Sequence, residues 1–166
     1  MVETKLNKYK VFEHNKFNYS FYVPVNWQFQ KRKDNTVIIH NLLENEDDKY
    51  METLDVVVLE AGFKNPKEGK VKNKYPLEDL YKDQIKVLTG NEYNLKIEQE
   101  GEKILNGQKS KWASFYDNKN NRDLRAIKYF LSKDDLAFII TATTQNEEFH
   151  KFGPIINEII ESFTLN

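Results

Sequence analysis

The chain has 166 residues, 39% hydrophobic and 13% aromatic, with 11 Phe and 9 Tyr; that is the size of one domain, and the aromatic side chains supply large burial per residue. Its 25 basic and 26 acidic side chains leave a net charge of -1, so global charge steers it toward neither nucleic acid nor an acidic partner. The absence of cysteine excludes disulfides and thiolate metal sites while leaving the compartment open, and no apolar run approaches the ~20 residues of a membrane-spanning helix.

Residues 1–8 are polar and read as a frayed tail before a single domain over 9–166. Met1–Leu6 lacks the apolar stretch of a secretory signal, which fits both a cytoplasmic protein and a mature exported domain given a new start. Tyr9–Phe12 and Phe17–Val23 flank His14-Asn15-Lys16 as a hairpin. Phe17, Tyr19, Phe21 and Val23 alternate, so one face of the second strand is buried. Pro24 ends it, and extended segments follow at Gln28–Arg32, Thr36–Leu43 and Thr53–Glu60. Val37-Ile38-Ile39 and Val56-Val57-Val58-Leu59 put apolar side chains on both faces, and Leu136–Ile140 does the same. Such strands need a covering layer on each side.

Leu77, Leu80, Tyr81, Ile85 and Leu88 recur at helical spacing, with Gly90 placed to stop the helix. Residues 93–144 then form a meander. Tyr93–Leu105, Gln108–Asp117, Asp123–Ser132 and Leu136–Thr144 are joined by Asn106-Gly107, Asn118–Asn121 and Lys133-Asp134-Asp135. Links this short force antiparallel neighbours, since a parallel return needs a crossover of about a dozen residues or more. A second helix carries Phe149, Phe152, Ile155, Ile156, Ile159, Ile160 and Phe163. Thr144 and Glu147 make a capping-box pair for it, and Gly153-Pro154 should kink or split it. The expected architecture is α+β: a twisted, mainly antiparallel sheet sandwiched between the two helices, with Ile127, Leu136 and Ile139 meeting a helix on one side or the other. Strand order is not legible.

Four stretches carry a family likeness by their order and spacing: Phe17-Asn-Tyr-Ser-Phe-Tyr-Val-Pro-Val-Asn-Trp27, Pro76-Leu-Glu-Asp-Leu80, Ile104-Leu-Asn-Gly107 and Phe152-Gly-Pro-Ile-Ile-Asn-Glu-Ile-Ile-Glu-Ser-Phe163. With them the chain resembles the PsbP-like domains of the Mog1/PsbP fold, including bacterial and archaeal PsbP-related proteins that are often lipoproteins. The resemblance implies an α/β/α arrangement and a non-catalytic binding or assembly accessory module whose partner is another protein. It also implies an extracytoplasmic setting, with residues 1–8 near a tether whose acylated cysteine lies upstream. It carries over no catalytic motif and no photosynthetic role, because the matched residues belong to the sheet and its turns.

The residues themselves offer several candidate sites, each against a plainer reading. Glu44, Glu46, Asp47, Asp48 and Glu52 are the densest carboxylate group, and Glu46, Asp47 and Asp48 are the candidates for a hard divalent cation. The group lacks the glycine and alternating acids of a calcium loop, and Lys49 interrupts it, which favours a solvated turn. Lys64, Lys67, Lys70, Lys72 and Lys74 lie in the long stretch Ala61–Tyr75; they would suit an anionic partner or lipid surface, or simply a soluble loop. His14, His40 and His150 are far apart in sequence and read as ordinary polar histidines. Ser20, Ser110, Ser114, Ser132 and Ser162 lack an activating context. Trp27 follows the Pro24 turn and reads as a packing residue, whereas Trp112 shares a strand face with Ser110, Ser114 and Tyr116. No enzyme signature, cofactor motif or nucleic-acid surface emerges. The alternatives to the accessory module are a divalent-metal domain using the 44–52 stretch and a small enzyme of a type without a recognisable motif. Oligomeric state is open.

Overall fold

The computed structural model describes residues 8–43, 46, 52–60, 76–117 and 123–166. Their elements run β1 (Tyr9–His14), β2 (Tyr19–Pro24), β3 (Gln28–Lys31), β4 (Val37–His40), β5 (Thr53–Glu60), α1 (Leu77–Thr89), β6 (Lys96–Leu105), β7 (Gln108–Asp117), β8 (Leu124–Lys133), β9 (Leu136–Gln145), a 3-10 turn at Asn146–Glu148, α2 (Phe149–Glu161) and β10 (Thr164–Leu165). Among these residues the strands make a seven-stranded sheet in the order β3-β4-β5-β9-β8-β7-β6 and a three-stranded sheet in the order β1-β2-β10. Each neighbouring pair is antiparallel.

The turns set the meander's register. Asn106 and Gly107 both have positive φ, 45° and 82°, which is what a two-residue hairpin of right-handed twist needs. Leu105 therefore faces Gln108, and the register runs to Lys96 opposite Tyr116 with one irregularity between Ile97 and Gln99. The extra residue there is Glu98, a bulge that re-aims its side chain.

Both faces of the large sheet are covered, as the two-sided strands demand. On one face, Leu80 of α1 packs against Phe130, Ala137 and Ile139, and Leu88 against Ala113 and Phe115. Gly90 caps that helix, in extended rather than left-handed backbone. On the other face, Phe152, Ile156, Ile159 and Ile160 of α2 join Tyr129, Leu131, Phe138, Ile140 and Ala142 in the main core. Ile127 and Leu136 pack on this core, whereas Ile139 meets α1.

The small sheet shares that second layer with α2. Phe17, Tyr19, Phe21 and Val23 are all buried there, as the alternation requires. A β-structured partner beside α2 completes the layer that the helix covers in part. It arises because residues just after α2 form β10, pairing Thr164 with Ser20 and Leu165 with Tyr19.

One local expectation fails at the start of α2, and one of two alternatives there is excluded. Thr144 is not a cap: β9 continues to Gln145, held by the ladder to β8 through Leu124, and the turn that follows has no side-chain cap bond. Nor does Pro154 split the helix, which runs unbroken from Phe149 to Glu161.

Tyr19 is fully buried, and its Oη has no hydrogen-bond partner among the described residues. Burial pushes its phenol pKa upward. A buried donor without a partner costs roughly 1–3 kcal/mol, so Tyr19→Phe is expected to raise stability by about 1 kcal/mol. A urea midpoint that falls instead would show the hydroxyl to be bonded.

Candidate functional site: two concavities sharing the C-terminal helix

Helix α2 forms a wall common to two concavities. One side carries Lys151, Phe152, Ile155 and Glu158 into an open groove of about 1060 Å³, and the other carries Phe149, His150, Gly153, Ile156, Asn157 and Ile160 into a cleft of about 520 Å³. Pro154 borders both.

The groove follows from the Pro24 turn. Trp27 N–H donates to the Pro24 carbonyl at 2.9 Å, and the indole is buried against Phe152 with centroids 6.5 Å apart. Its packing role agrees with the sequence reading. Around this floor stand Val25, Leu42 and Leu43, exposed by 54%, 52% and 52%, with Lys8, Asn26 and Lys151 also on the lining. Tyr9 Oη donates to Glu158 Oε2 at the same groove. Desolvation, reinforced by that carboxylate, pushes the Tyr9 phenol up to about 12.

The cleft lies between α2 and the strands β6 to β9. Its floor includes Trp112, Ser114, Ile127 and Ala142, with Arg125 and Thr144 beside them. Gly101 lets the indole lie close over β6: a Cβ there would stand 3.0 Å from Trp112 Nε1. Trp112 also stacks on Tyr129 at 6.3 Å between centroids. The bulge residue Glu98 reaches Arg125, Oε2 to Nη2 being 3.4 Å, and the guanidinium sits 4.9 Å from the Phe149 ring centroid. Sequence reasoning placed Trp112 on the right face but missed Arg125, because a bulge and a helix packing together are not local signals.

Among the described residues, the other sequence candidates do not gather. Glu46 is an exposed turn residue, while Asp47 and Asp48 lie outside the described residues, as do Lys64, Lys67, Lys70, Lys72 and Lys74. Glu52, counted with the acidic group, is buried: Asn41 Nδ2 donates to its Oε2 at 2.6 Å, and its own N–H donates to Asn41 Oδ1 at 2.8 Å. It belongs to the closure between β4 and β5 rather than to a solvent-facing cluster. Among the described residues no three His, Asp or Glu side chains are grouped to hold a metal ion. His14 sits at the end of β1 rather than in the turn, buried and stacked between Phe17 and Tyr19 at 5.1 and 5.0 Å. Burial, with Lys31 adding to it, lowers its pKa. His40 ends β4, and His150 lies in the cleft. Ser110 and Ser162 donate to backbone carbonyls, Lys103 O at 2.6 Å and Ile159 O at 2.6 Å. No described helix is long and apolar enough to cross a membrane.

No family model matches the sequence, and no curated protein matches it by sequence. Solved structures do match over almost the whole chain. The solution structure of cyanobacterial PsbP (CyanoP) from Synechocystis aligns with a TM-score of 0.64 at 14% identity, covering 96% of this chain and 94% of that one. LpqN of Mycobacterium tuberculosis, described as involved in cell envelope biogenesis, gives 0.64 at 14% identity over 96% and 92%. A Pseudomonas aeruginosa protein of unknown function, PA94, gives 0.59 at 14% identity over 93% and 94%. The antiparallel sheet, the helix on each face and near-complete mutual coverage agree with the likeness read from the Phe17–Trp27 and Phe152–Phe163 stretches: the chain has the PsbP-like fold.

Proposed function

We propose that this chain is a non-catalytic accessory module that binds another protein through the groove at Trp27, and that it works outside the cytoplasm. The observation that carries the binding role is the groove itself. An apolar floor flanked by half-exposed Val25, Leu42 and Leu43, with charged Lys8, Lys151 and Glu158 on the same lining, has the make-up of an interface core and its rim. The fold shared with PsbP and LpqN supports the accessory character, and LpqN's part in envelope biogenesis supports the extracytoplasmic setting. A lipid tether upstream of residue 8 completes this reading. Asp55 and Lys128, which burial shifts within the sheet, lie outside both concavities, and Tyr9 on the groove lining is shifted upward, away from the neutral range in which a general acid or base works best.

The test is site-specific photo-crosslinking in the native cell. A photoreactive residue at Leu43 is expected to give a discrete protein adduct that Leu42→Asp abolishes, while the same probe at Val87, exposed on α1, gives none. Equal labelling from both positions, or none from either, would overturn the proposal. Fractionation of the tagged full-length chain checks its setting, with recovery in the cytosol counting against it.

A further inference from the structure

We infer that the cleft on the other side of α2 is a binding site for a small aromatic monocarboxylate, distinct from the protein-docking groove. Its volume of about 520 Å³ is within the usual range for small-molecule sites, which are mostly apolar with a few convergent polar groups. Trp112, Phe149, Ile127, Ile156 and Ala142 supply the apolar body of the site.

Two buried polar atoms then point to what it holds. Thr144 is only 2% exposed, lines the cleft, and its Oγ1 has no hydrogen-bond partner among the described residues. Arg125 Nε is likewise buried and without a hydrogen-bond partner among them. Buried polar groups are nearly always bonded, so two orphans in one cleft need an explanation. Valine would fill the Thr144 position with the same shape and no orphan hydroxyl. Arg125 and Thr144 are direct cross-strand partners of β8 and β9, which sets their side chains side by side on one face.

An N–H and an O–H side by side match the two oxygens of a carboxylate. Charge selects the same class. Glu98 already offsets part of the Arg125 charge across 3.4 Å, which suits a single negative charge better than the double charge of a phosphate. Trp112, held over Gly101, and the Phe149 ring offer faces to a planar ligand body. The bulge that brings Glu98 to this spot is the kind of irregularity found beside functional sites.

Proton–nitrogen NMR on the whole chain tests this with 1-naphthaleneacetate, its neutral amide 1-naphthaleneacetamide, and inorganic phosphate. The acid is expected to shift the Trp112 indole N–H and the Thr144 amide saturably. The amide should bind at least tenfold more weakly, and phosphate should leave both signals in place. Arg125→Gln should weaken the acid at least tenfold while leaving the amide unchanged, and Thr144→Val should weaken it about fivefold. Thr144→Val keeps shape and removes only the orphan hydroxyl, so a native spectrum with reduced affinity separates recognition from misfolding. No saturable shift, equal binding of acid and amide, or indifference of the acid to both substitutions would overturn the inference. Failure of the groove crosslinks would leave it standing, because the two sites share only the α2 wall.

Discussion

Replacing Phe163 by alanine is expected to cost about 3–5 kcal/mol, the range for truncating a buried phenylalanine and leaving its cavity. Phe163 lies just past Ser162, the residue that caps α2, and is 1% exposed. Its ring lies 5.4 Å from Tyr19 and 6.5 Å from Phe21 in the small sheet, and 6.0 Å from Phe138 in the large one. The residue therefore joins the two sheets. Its carbonyl and that of Glu161 each accept a bond from Asn106 Nδ2 at 2.9 Å, so the β6–β7 hairpin is tied to the same seam. Against a total stability on the order of 5–15 kcal/mol, the loss lowers Tm by roughly 6–20 °C for a chain of this size. Urea unfolding measures it. Hydrogen exchange should show the amides of β1 and β2 losing protection before those of β8 and β9. Phe163→Leu, which refills most of the space, should cost about 1.5 kcal/mol. An alanine variant losing under about 1 kcal/mol would mean the sheets are held together elsewhere.

That seam also marks how far the sequence can be read. The bounds of β7 and β5 agree with the sequence residue for residue, because the Asn106-Gly107 turn and the consecutive apolar run Val56–Leu59 act within a few positions of the backbone they specify. The α1 face was legible for the same reason. β10 was not: two residues carry no periodicity, and its existence depends on Ser20 and Tyr19 more than 140 positions away. Thr144 misled because a threonine three residues before a glutamate looks like a cap locally, while the β8 ladder that overrides it is a tertiary interaction. Glu52 misled similarly, since it bonds Asn41, eleven residues back, and lies buried. The cleft was least legible of all. Gly101 and the Glu98 bulge on β6, Arg125 on β8 and Thr144 on β9 come from three strands and acquire meaning only under α2.

The sheet interior yields the other large effect. Asp55 on β5 faces Thr141 on β9, which faces Lys128 on β8. These three side chains form a polar row across the central strands, on the α1 side of the sheet. Lys128 Nζ donates to Thr141 Oγ1 at 2.8 Å. Burial pushes the Asp55 carboxyl above its ordinary range, and Lys128 and Arg32 pull against that rise. Burial likewise lowers the Lys128 ammonium, with Asp55 opposing. A carboxyl raised by folding is held protonated more tightly in the native state, so its contribution to stability falls as pH climbs from the unfolded value of about 3.9 through the raised native one. Lys128→Met removes the larger source of compensation and drives the native Asp55 value higher still. The substitution should therefore cost about 1–3 kcal/mol more at pH 7, where an uncompensated buried carboxylate must ionise or take up a proton, than at pH 4, where the upward shift leaves more of it protonated. Adding Asp55→Asn should erase that pH dependence and recover most of the loss at pH 7, the signature of a coupled pair in a double-mutant cycle. Urea midpoints of the wild type, both singles and the double at the two pH values measure every term. A Lys128→Met penalty that is equal at pH 4 and pH 7 would show that Asp55 and Lys128 do not feel one another, and that Arg32 alone compensates the carboxylate.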